Sequence, residues 1–408
     1  MIHEAGLTLL SPTTSIKPVM SKCGNTLIIT PIILLAGAML LTSCSPHEPD
    51  VSITDPNATY QTKALFHNLD QIRAENVLFG HQDALAYGVE WWDEPGRSDV
   101  LEVAGSYPAV YGWEIGDLEF GNEANLDGVN FEKMQNWIKE GYNRGGVITI
   151  AWHMNNPVTG GNAWDTTPAV AQILPGGSHH DLFTGYLDTF AVFINGLTHK
   201  PGFFSRAHPI PVIFRPWHEM SGSWFWWGSN LCTPEEYIAL WRFTVEYLRD
   251  EKGLRNLLYA YSPDRFDSAE HYLQRYPGDE YVDIMGYDDY WNVRDRESIV
   301  LLADGLRTLV LMAEERGKIP ALTETGLEAI PDTTWWTEVL LAGINADELT
   351  RRIAYVQVWR NTARQVENRD HFYAPYAGHL SAPDFVEFVR HPLILLENDL
   401  PDLYSIRD

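Results

Sequence analysis

The sequence predicts a single domain with a (β/α)8 barrel, the α/β fold in which eight parallel strands alternate with helices. Short apolar runs recur along the chain, and most of them end in polar or aromatic residues. There are eight such runs, at residues 77–81, 108–113, 147–153, 212–217, 257–262, 282–287, 320–324 and 354–359. Helical stretches lie between them, and this alternation favours a parallel sheet. Eight strand–helix units favour closure of that sheet into a barrel.

The clearest predicted helix covers residues 233–252. Thr233 can cap it, Pro234 suits the first turn, and Glu236 completes a capping box. Its apolar stripe consists of Ile238, Trp241, Val245 and Leu248. A second helix is predicted over residues 297–316. Residues 154–185 are rich in Gly, Asn and Pro, which predicts a long loop over the C-terminal ends of the strands.

The N-terminal segment has the features of an export signal. Residues 27–42 form an apolar run that follows Lys22, which is short for a membrane span and typical of a signal peptide. The run ends at Cys44 in a pattern that resembles the lipidation signal of bacterial lipoproteins. We therefore expect a signal peptide over residues 1–43, with Met20 as the true start, and a lipid on Cys44. The alternative is an ordinary signal peptide with an incidental cysteine.

These features predict a protein of the bacterial cell envelope, anchored by its lipid and facing the periplasm or the cell surface. A polar tether is expected over residues 45–56 and the barrel domain over residues 57–408. The three cysteines are Cys23, Cys44 and Cys232. Only Cys232 lies in the predicted domain, so no disulfide is expected within it, and the core must supply the stability.

The charge of the chain excludes several classes of ligand. Its 55 acidic and 29 basic residues give a formal charge of −26, which argues against nucleic acid, because nucleic acid requires a basic surface. The same negative charge would repel a polyanionic polysaccharide, but it does not oppose the binding of a neutral polysaccharide. The 15 tryptophans indicate either a well-packed core or, in addition, a sugar-binding cleft.

Two glutamates are the leading candidates for catalysis. Glu219 follows the fourth predicted strand, and Glu324 ends the seventh. In a (β/α)8 barrel both positions belong to the same mouth, where active sites are built. Retaining glycosidases need two carboxylates about 5–5.5 Å apart, one as nucleophile and one as acid/base. Either glutamate alone would be interpreted as a structural or surface carboxylate, and it is the pair at matching strand ends that favours catalysis.

Several motifs carry a specific resemblance. They are Arg215-Pro-Trp-His-Glu219, Ser223-Trp-Phe-Trp-Trp-Gly228, Thr323-Glu-Thr-Gly326, Gly80-His-Gln82, Gly96-Arg-Ser-Asp-Val100, Ile150-Ala-Trp-His153, residues 281–290 and Val358-Trp-Arg360. Together they resemble glycoside hydrolase family 26, whose main activity is endo-1,4-β-mannanase. The matches extend over roughly residues 60–400, which is most of the predicted domain.

The resemblance implies a retaining mechanism with Glu219 as acid/base and Glu324 as nucleophile. It implies that Tyr290 hydrogen-bonds the nucleophile, although Tyr287 is a rival for that role. Further substrate contacts are implied for His153, Trp164, His218, Trp224, Trp359, Asp288 and Arg360. Alternative interpretations are a packed core histidine for His218, a barrel-lining aromatic for Tyr290, and solvated loop charges for Asp288 and Arg360. Trp226 and Trp227 are expected to pack beneath the cleft.

Other chemistries fit the sequence poorly. It contains no His-Glu-x-x-His helix, no Gly-x-Ser-x-Gly elbow and no Gly-x-Gly-x-x-Gly loop, so no metal or cofactor is expected. His179 and His180 are expected to be a solvated pair before a helix. The expected partner is a neutral β-mannan or its oligosaccharides, bound by a monomer. The alternatives are a β-1,3-xylanase, a mixed-linkage β-glucanase, or a non-catalytic glycan-binding lipoprotein.

Overall fold

The computed structural model describes residues 49–202 and 205–406. The predicted signal peptide, Cys44 and the first residues of the tether lie outside the described residues. Within them, no helix is long and apolar enough to cross a membrane.

Eight parallel strands form a closed barrel, as the sequence predicts. They are β1 (Val77–Gln82), β2 (Val110–Glu114), β3 (Val147–Ala151), β4 (Val212–Arg215), β5 (Leu257–Tyr261), β6 (Ile284–Asp289), β7 (Ile319–Thr325) and β8 (Tyr355–Val358). Neighbours in sequence are neighbours in the sheet, and β8 also pairs with β1, which closes the barrel. A short strand, Ile394–Leu395, pairs beside the start of β1. Every residue of the eight barrel strands is buried, in keeping with their apolar sequences.

Helices surround the barrel, and the longer ones bury apolar residues on their inner faces. They are α1 (Tyr60–Ile72), α2 (Asp99–Ala104), α3 (Phe131–Asn143), α4 (Val170–Ile173), α5 (His180–Asn195), α6 (Pro234–Glu246), α7 (Ala269–Leu273), α8 (Ile299–Glu315), α9 (Ala342–Ile344), α10 (Arg364–Glu367) and α11 (Ala382–Arg390). Two segments have wider π-helical turns. One, Tyr247–Glu251, follows α6, and the other, Trp336–Leu341, precedes α9.

The start of α6 confirms the predicted capping box. The Thr233 hydroxyl accepts the Glu236 N–H at 3.2 Å, and the Glu236 carboxylate accepts the Thr233 N–H at 2.8 Å. Two N–H groups that the first helical turn leaves unpaired are therefore satisfied by residues three positions apart. Pro234, at the first helical position, has no N–H to satisfy.

The long loop after β3 is shorter than the sequence predicts. Residues 152–169 lack regular structure, but α4 and then α5 occupy the remainder of the segment expected to be a loop. The apolar residues Phe183, Tyr186 and Leu187 recur at helical spacing and are buried, and this outweighs the local glycines. The prediction that His180 is solvated is wrong: its ring packs against Phe243, and its Nδ1 lies 2.8 Å from the Ile173 carbonyl oxygen.

Part of the predicted tether belongs to the folded domain. Ile53, Thr54 and Asp55 are buried at the N-terminal end of the barrel. The Thr54 N–H donates to Asp283 at 2.6 Å, and Asp55 forms an ion pair with Arg255 at 3.1 Å. Because these contacts lie opposite the C-terminal ends of the strands, this segment contributes to stability and not to the site.

Candidate active site

A cleft of about 450 Å³ opens at the C-terminal ends of the barrel strands. Both candidate glutamates, Glu219 and Glu324, line it. Its other lining residues are His153, Trp164, Trp224, Phe225, Tyr290, Arg294, Gly326, Leu327, Glu328, Trp359 and Tyr373. Two carboxylates and several aromatic rings thus meet in one concave site, although they are up to 220 positions apart in the chain.

Glu324 is held from two sides. It lies near the end of β7 and is almost fully buried. The Arg215 guanidinium donates to its Oε2, and the Tyr290 hydroxyl donates to its Oε1 at 2.8 Å. A positive charge and a hydroxyl therefore orient this carboxylate while leaving it in the wall of the cleft.

Tyr290, and not Tyr287, is the residue that contacts Glu324. The Tyr287 ring is buried outside the barrel against Phe266, with ring centres 5.3 Å apart, and its hydroxyl lies 3.5 Å from the Leu302 carbonyl oxygen. The different orientations follow from the pleat of β6 and from the irregular pairing of β6 with β7 after Tyr287.

Asp288 lies behind the cleft and does not line it. Its carboxylate accepts from Arg215 at 2.6 Å and from the Thr323 hydroxyl at 2.8 Å, and the residue is fully buried. Burial raises the pKa of Asp288, although Arg215 acts in the opposite direction. Asp288 therefore positions Arg215 and does not make the sugar contact that the resemblance implies.

Glu219 lies beyond β4, in a turn with unusual backbone geometry. Trp217 and Glu219 both have positive φ angles, 52° and 54°. Such conformations cost about 1–3 kcal/mol in residues other than glycine and occur preferentially at functional sites. The Glu219 N–H donates to the Ser262 carbonyl at 2.8 Å, which ties the turn to the end of β5. The turn therefore aims the Glu219 side chain into the cleft.

The surroundings of Glu219 disfavour its charged form. Burial raises its pKa well above the usual value, and the charges of Glu324, Asp288 and Asp264 act in the same direction. The indole N–H of Trp224 donates to Oε2 at 2.6 Å and opposes the shift. A carboxyl group with a raised pKa can retain a proton near neutral pH and donate it during a reaction.

His153 lines the cleft, and His218 lies beneath it. Glu114, at the end of β2, accepts the His153 backbone N–H at 2.8 Å, and its Oε2 lies 2.7 Å from Nδ1 of the same ring. The Nε2 atoms of His153 and His218 lie 3.2 Å apart. Burial lowers the pKa of His153, but the charge and hydrogen bond of Glu114 and the charge of Glu324 together outweigh burial, and the pKa is raised. Burial lowers the pKa of His218, and the charges of Arg215 and His153 act in the same direction.

His218 does not reach the cleft wall. It is 1% exposed, and its Nδ1 has no hydrogen-bond partner among the described residues. The structure favours the packed-histidine interpretation over a direct sugar contact, with His218 supporting His153 from below.

The tryptophans divide into a cleft group and a supporting group. Trp164 is 48% exposed and stacks on His153, with ring centres 5.1 Å apart. Trp224 and Trp359 are half-buried in the cleft wall. Trp226 and Trp227 are fully buried, and their indole N–H groups donate to the carbonyl oxygens of Met154 and His218, as expected for packing residues.

Arg360 joins two loops and does not line the cleft. It pairs with Asp127, in the loop after β2, at 3.0 Å, and with Glu367, after β8, at 2.8 Å. Burial raises the pKa of Asp127 to about 6 despite this pair. Arg360 therefore bridges the two loops. It does not make the sugar contact that the resemblance implies, because its guanidinium already has two carboxylate partners.

Some functional residues carried no signal in the sequence. Arg294, Leu327, Glu328 and Tyr373 line the cleft from loops whose path only the folded chain shows. Glu114 had a signal, since it is a carboxylate at the end of an apolar strand. Among the described residues, no group of three or more His, Cys, Asp or Glu side chains is arranged to hold a metal ion.

Comparisons with known proteins identify the family of the chain. The family model for glycosyl hydrolase family 26 matches residues 54–339. A mannan endo-1,4-beta-mannosidase of Bifidobacterium adolescentis is 34% identical over 362 residues, which cover 83% of this chain and 35% of that protein. One from Bacillus subtilis strain 168 is 30% identical over 286 residues, or 65% of this chain and 73% of that protein. The chain thus spans about a third of the Bifidobacterium relative.

Solved structures show the same fold. A GH26 beta-mannanase from Bacteroides ovatus superimposes with a TM-score of 0.80 at 45% identity, over 85% of this chain and 98% of that one. A modular endo-beta-1,4-mannanase from Cellulomonas fimi gives a TM-score of 0.79 at 35% identity, over 87% of this chain and 80% of that one.

Proposed function

The chain belongs to glycosyl hydrolase family 26, and we propose that it is a retaining endo-1,4-β-mannanase. Its substrates are the β-1,4-mannosidic bonds of mannan, galactomannan or glucomannan. The observation that carries the proposal is the pair of glutamates in one cleft with opposite surroundings. Glu324 is anchored by Arg215 and Tyr290, whereas burial and neighbouring carboxylates raise the pKa of Glu219.

The first step forms a covalent intermediate. The Glu324 carboxylate attacks the anomeric carbon of the sugar, and the bond from that carbon to the glycosidic oxygen breaks. Glu219 delivers its proton to the departing oxygen, so that a neutral hydroxyl leaves. Arg215 and Tyr290 hold the attacking carboxylate in position.

The second step releases the sugar. Glu219, now ionised, takes a proton from water, and the water oxygen attacks the anomeric carbon. The bond to Glu324 breaks, and both glutamates return to their starting states. Two inversions at the anomeric carbon give net retention of configuration.

The cleft suits a neutral sugar chain. Trp164, Trp224 and Trp359 provide flat apolar faces for pyranose rings, and His153 provides a polar atom for hydroxyl groups. The formal charge of the chain, −26, does not oppose a neutral polysaccharide. The mannan specificity is inferred from the relatives, which are named as mannanases.

The test is hydrolysis of linear mannan, β-1,3-xylan and lichenan side by side by the wild-type chain. We expect reducing sugar from mannan, with retained configuration in the first products. Faster release of reducing sugar from xylan or lichenan would show that the chain has another substrate specificity of the family. Binding of manno-oligosaccharides without turnover would show a non-catalytic glycan-binding protein. A time course separates endo action, which gives a spread of oligomers, from release of mannobiose at the earliest times.

We also propose that the chain is a monomeric lipoprotein of the bacterial cell envelope, lipidated at Cys44 and facing the periplasm or the cell surface. The apolar run before Cys44 supports this proposal. The test compares membrane fractionation of the wild type and Cys44→Ser after labelling with a fatty-acid analogue. Label and membrane association in both forms would contradict lipidation at Cys44.

A further inference from the structure

The loop after β8 forms the wall of the cleft beside the nucleophile. It carries two of the aromatic residues that line the cleft, Trp359 and Tyr373. The Trp359 N–H donates to the Thr325 carbonyl at 3.1 Å, one residue beyond Glu324 along β7. The regular structure between the two aromatic residues is α10, which is only four residues long. The path of this loop therefore depends mainly on contacts made by side chains.

Tyr373 packs against the residue that donates to the nucleophile. Its ring lies edge-on to the Tyr290 ring, with ring centres 5.7 Å apart, and the Tyr290 hydroxyl donates to Glu324 at 2.8 Å. Tyr373 also lies against Gly326, where a Cβ atom would come within 2.5 Å of its ring. The absence of a side chain at Gly326 thus lets the Tyr373 ring approach the backbone two residues beyond Glu324. Tyr373 therefore confines Tyr290 beside the nucleophile.

Asn361 joins the two ends of this loop. Its side chain is fully buried, three residues beyond the end of β8. Its Oδ1 accepts the backbone N–H groups of Tyr373 at 2.9 Å and of Ala374 at 3.0 Å. Its Nδ2 donates to the Ala374 carbonyl at 3.1 Å. Asn361 thus provides the segment at Tyr373 with hydrogen bonds that a neighbouring strand would otherwise supply.

Asp99 holds Asn361 from the side of β1. Asp99 is the first residue of α2, and it is buried. Its Oδ2 accepts the Asn361 Nδ2 at 2.7 Å and the Val89 N–H at 2.9 Å. Its Oδ1 accepts the indole N–H of Trp91 at 2.9 Å. Three donors therefore converge on one carboxylate, which ties the loop after β1 to the loop that carries Tyr373.

We propose that Asn361 is a positioning residue for the nucleophile, and that it acts through Tyr373 on the hydroxyl of Tyr290. This inference rests on the proposed function of the same site. Asn361 and Asp99 do not line the cleft, so both act from behind its wall. Without the Asn361 side chain, the Tyr373 ring is free to shift and Tyr290 is no longer confined. The hydrogen bond that orients Glu324 is then lost for part of the time, and the attack on the sugar slows.

The test is a double-mutant cycle between Asn361→Ala and Tyr290→Phe. Dinitrophenol release from a dinitrophenyl β-mannobioside, in a single turnover at saturating enzyme, measures the formation of the covalent intermediate. Tyr290→Phe keeps the ring that Tyr373 contacts and removes only the hydroxyl. We expect Asn361→Ala alone to slow this step about tenfold, within the range that a misplaced catalytic group costs. In the Tyr290→Phe background it should slow the step less than about twofold, because the hydroxyl that it positions is gone.

The matched control is Asn256→Ala. It truncates another buried asparagine, whose amide donates to the Ile210 carbonyl at 2.7 Å at the opposite end of the barrel, and it should leave the single-turnover rate unchanged. Should Asn361→Ala not fold, Asp99→Asn withdraws one acceptor from Asn361 and its neighbours, and we expect a smaller loss that again vanishes in the Tyr290→Phe background.

Two results would overturn the proposal. One is a set of losses that multiply in the double variant, because Asn361 would then act independently of the Tyr290 hydroxyl. The other is an unchanged single-turnover rate in folded Asn361→Ala. Failure of the wild-type protein to hydrolyse both mannan and the dinitrophenyl substrate would instead reject the proposed function.

Discussion

The two glutamates of the cleft are the same residue type but are held in opposite ways. Glu324 lies near the end of β7 and accepts hydrogen bonds from Arg215 and Tyr290. Glu219 lies in a positive-φ turn, accepts one indole N–H from Trp224, and faces the charges of other carboxylates. The surroundings, and not the residue type, thus assign one glutamate to attack and the other to proton transfer.

The largest loss of activity is expected from substitution of Glu324, the glutamate that Arg215 and Tyr290 hold. Glu324→Ala removes the group that forms the covalent intermediate, so hydrolysis of mannan should fall by more than about a thousandfold. Initial rates of reducing-sugar release measure it. Glu348→Ala, which truncates an exposed glutamate outside the cleft, should stay within about twofold of wild type. A Glu324→Ala variant with more than a few percent of wild-type activity would reject the nucleophile assignment.

On the other side, Glu219→Ala should reduce hydrolysis of mannan by about 10²–10⁴-fold, the usual contribution of general acid–base catalysis. A dinitrophenyl β-mannobioside needs no proton on its leaving group, so its first step should be affected much less. We expect a burst of dinitrophenol followed by slow turnover, which added azide accelerates by replacing water. Equal losses on both substrates, without a burst, would contradict the acid/base role.

A smaller effect tests the anchor of Glu324. Tyr290→Phe removes one hydrogen bond to a charged group, worth about 1.5–3 kcal/mol, so kcat should fall by roughly 10–100-fold. Tyr287→Phe is the matched control, since the Tyr287 hydroxyl is 3.5 Å from its nearest partner and lies outside the cleft. If the control lost as much activity as Tyr290→Phe, the contact with Glu324 would not explain the loss.

The smallest effect is a shift in pH dependence. Because Glu219 must be protonated for the first step, kcat/KM should fall as pH rises through its raised pKa. The Trp224 indole N–H favours the ionised form and opposes that rise in pKa. Trp224→Phe should therefore raise the pKa further and move the alkaline limb of the profile to higher pH. A shift to lower pH would contradict this account of Glu219.

Sequence patterns predicted the barrel well because they report local preferences. The capping box of α6 depends on residues only three positions apart. Each barrel strand is a short run of apolar residues, and such a run predicts a buried strand by itself. The loop after β3 was predicted too long, since buried residues of α5 outweigh the neighbouring glycines. Local composition is a weaker determinant than packing against the barrel.

The candidate site was predicted only in part. The strand-end rule located Glu219 and Glu324, and the resemblance identified Tyr290 and the cleft tryptophans. The resemblance also implied sugar contacts for Asp288 and Arg360. In the structure, both are engaged by charged partners distant in sequence: Asp288 by Arg215, and Arg360 by Asp127. A side chain that satisfies a buried charge is not available to a ligand.

By itself, the sequence determined the order of strands and helices and the two glutamates at the mouth of the barrel, because strand periodicity and connection order decide which ends face the same way. Only the tertiary structure decided how each glutamate is used. The pKa of Glu219 depends on burial and on carboxylates from β6 and β7, and the position of Glu324 depends on an arginine from β4. Desolvation and charge–charge interactions arise from distances in space, which separation along the chain does not encode.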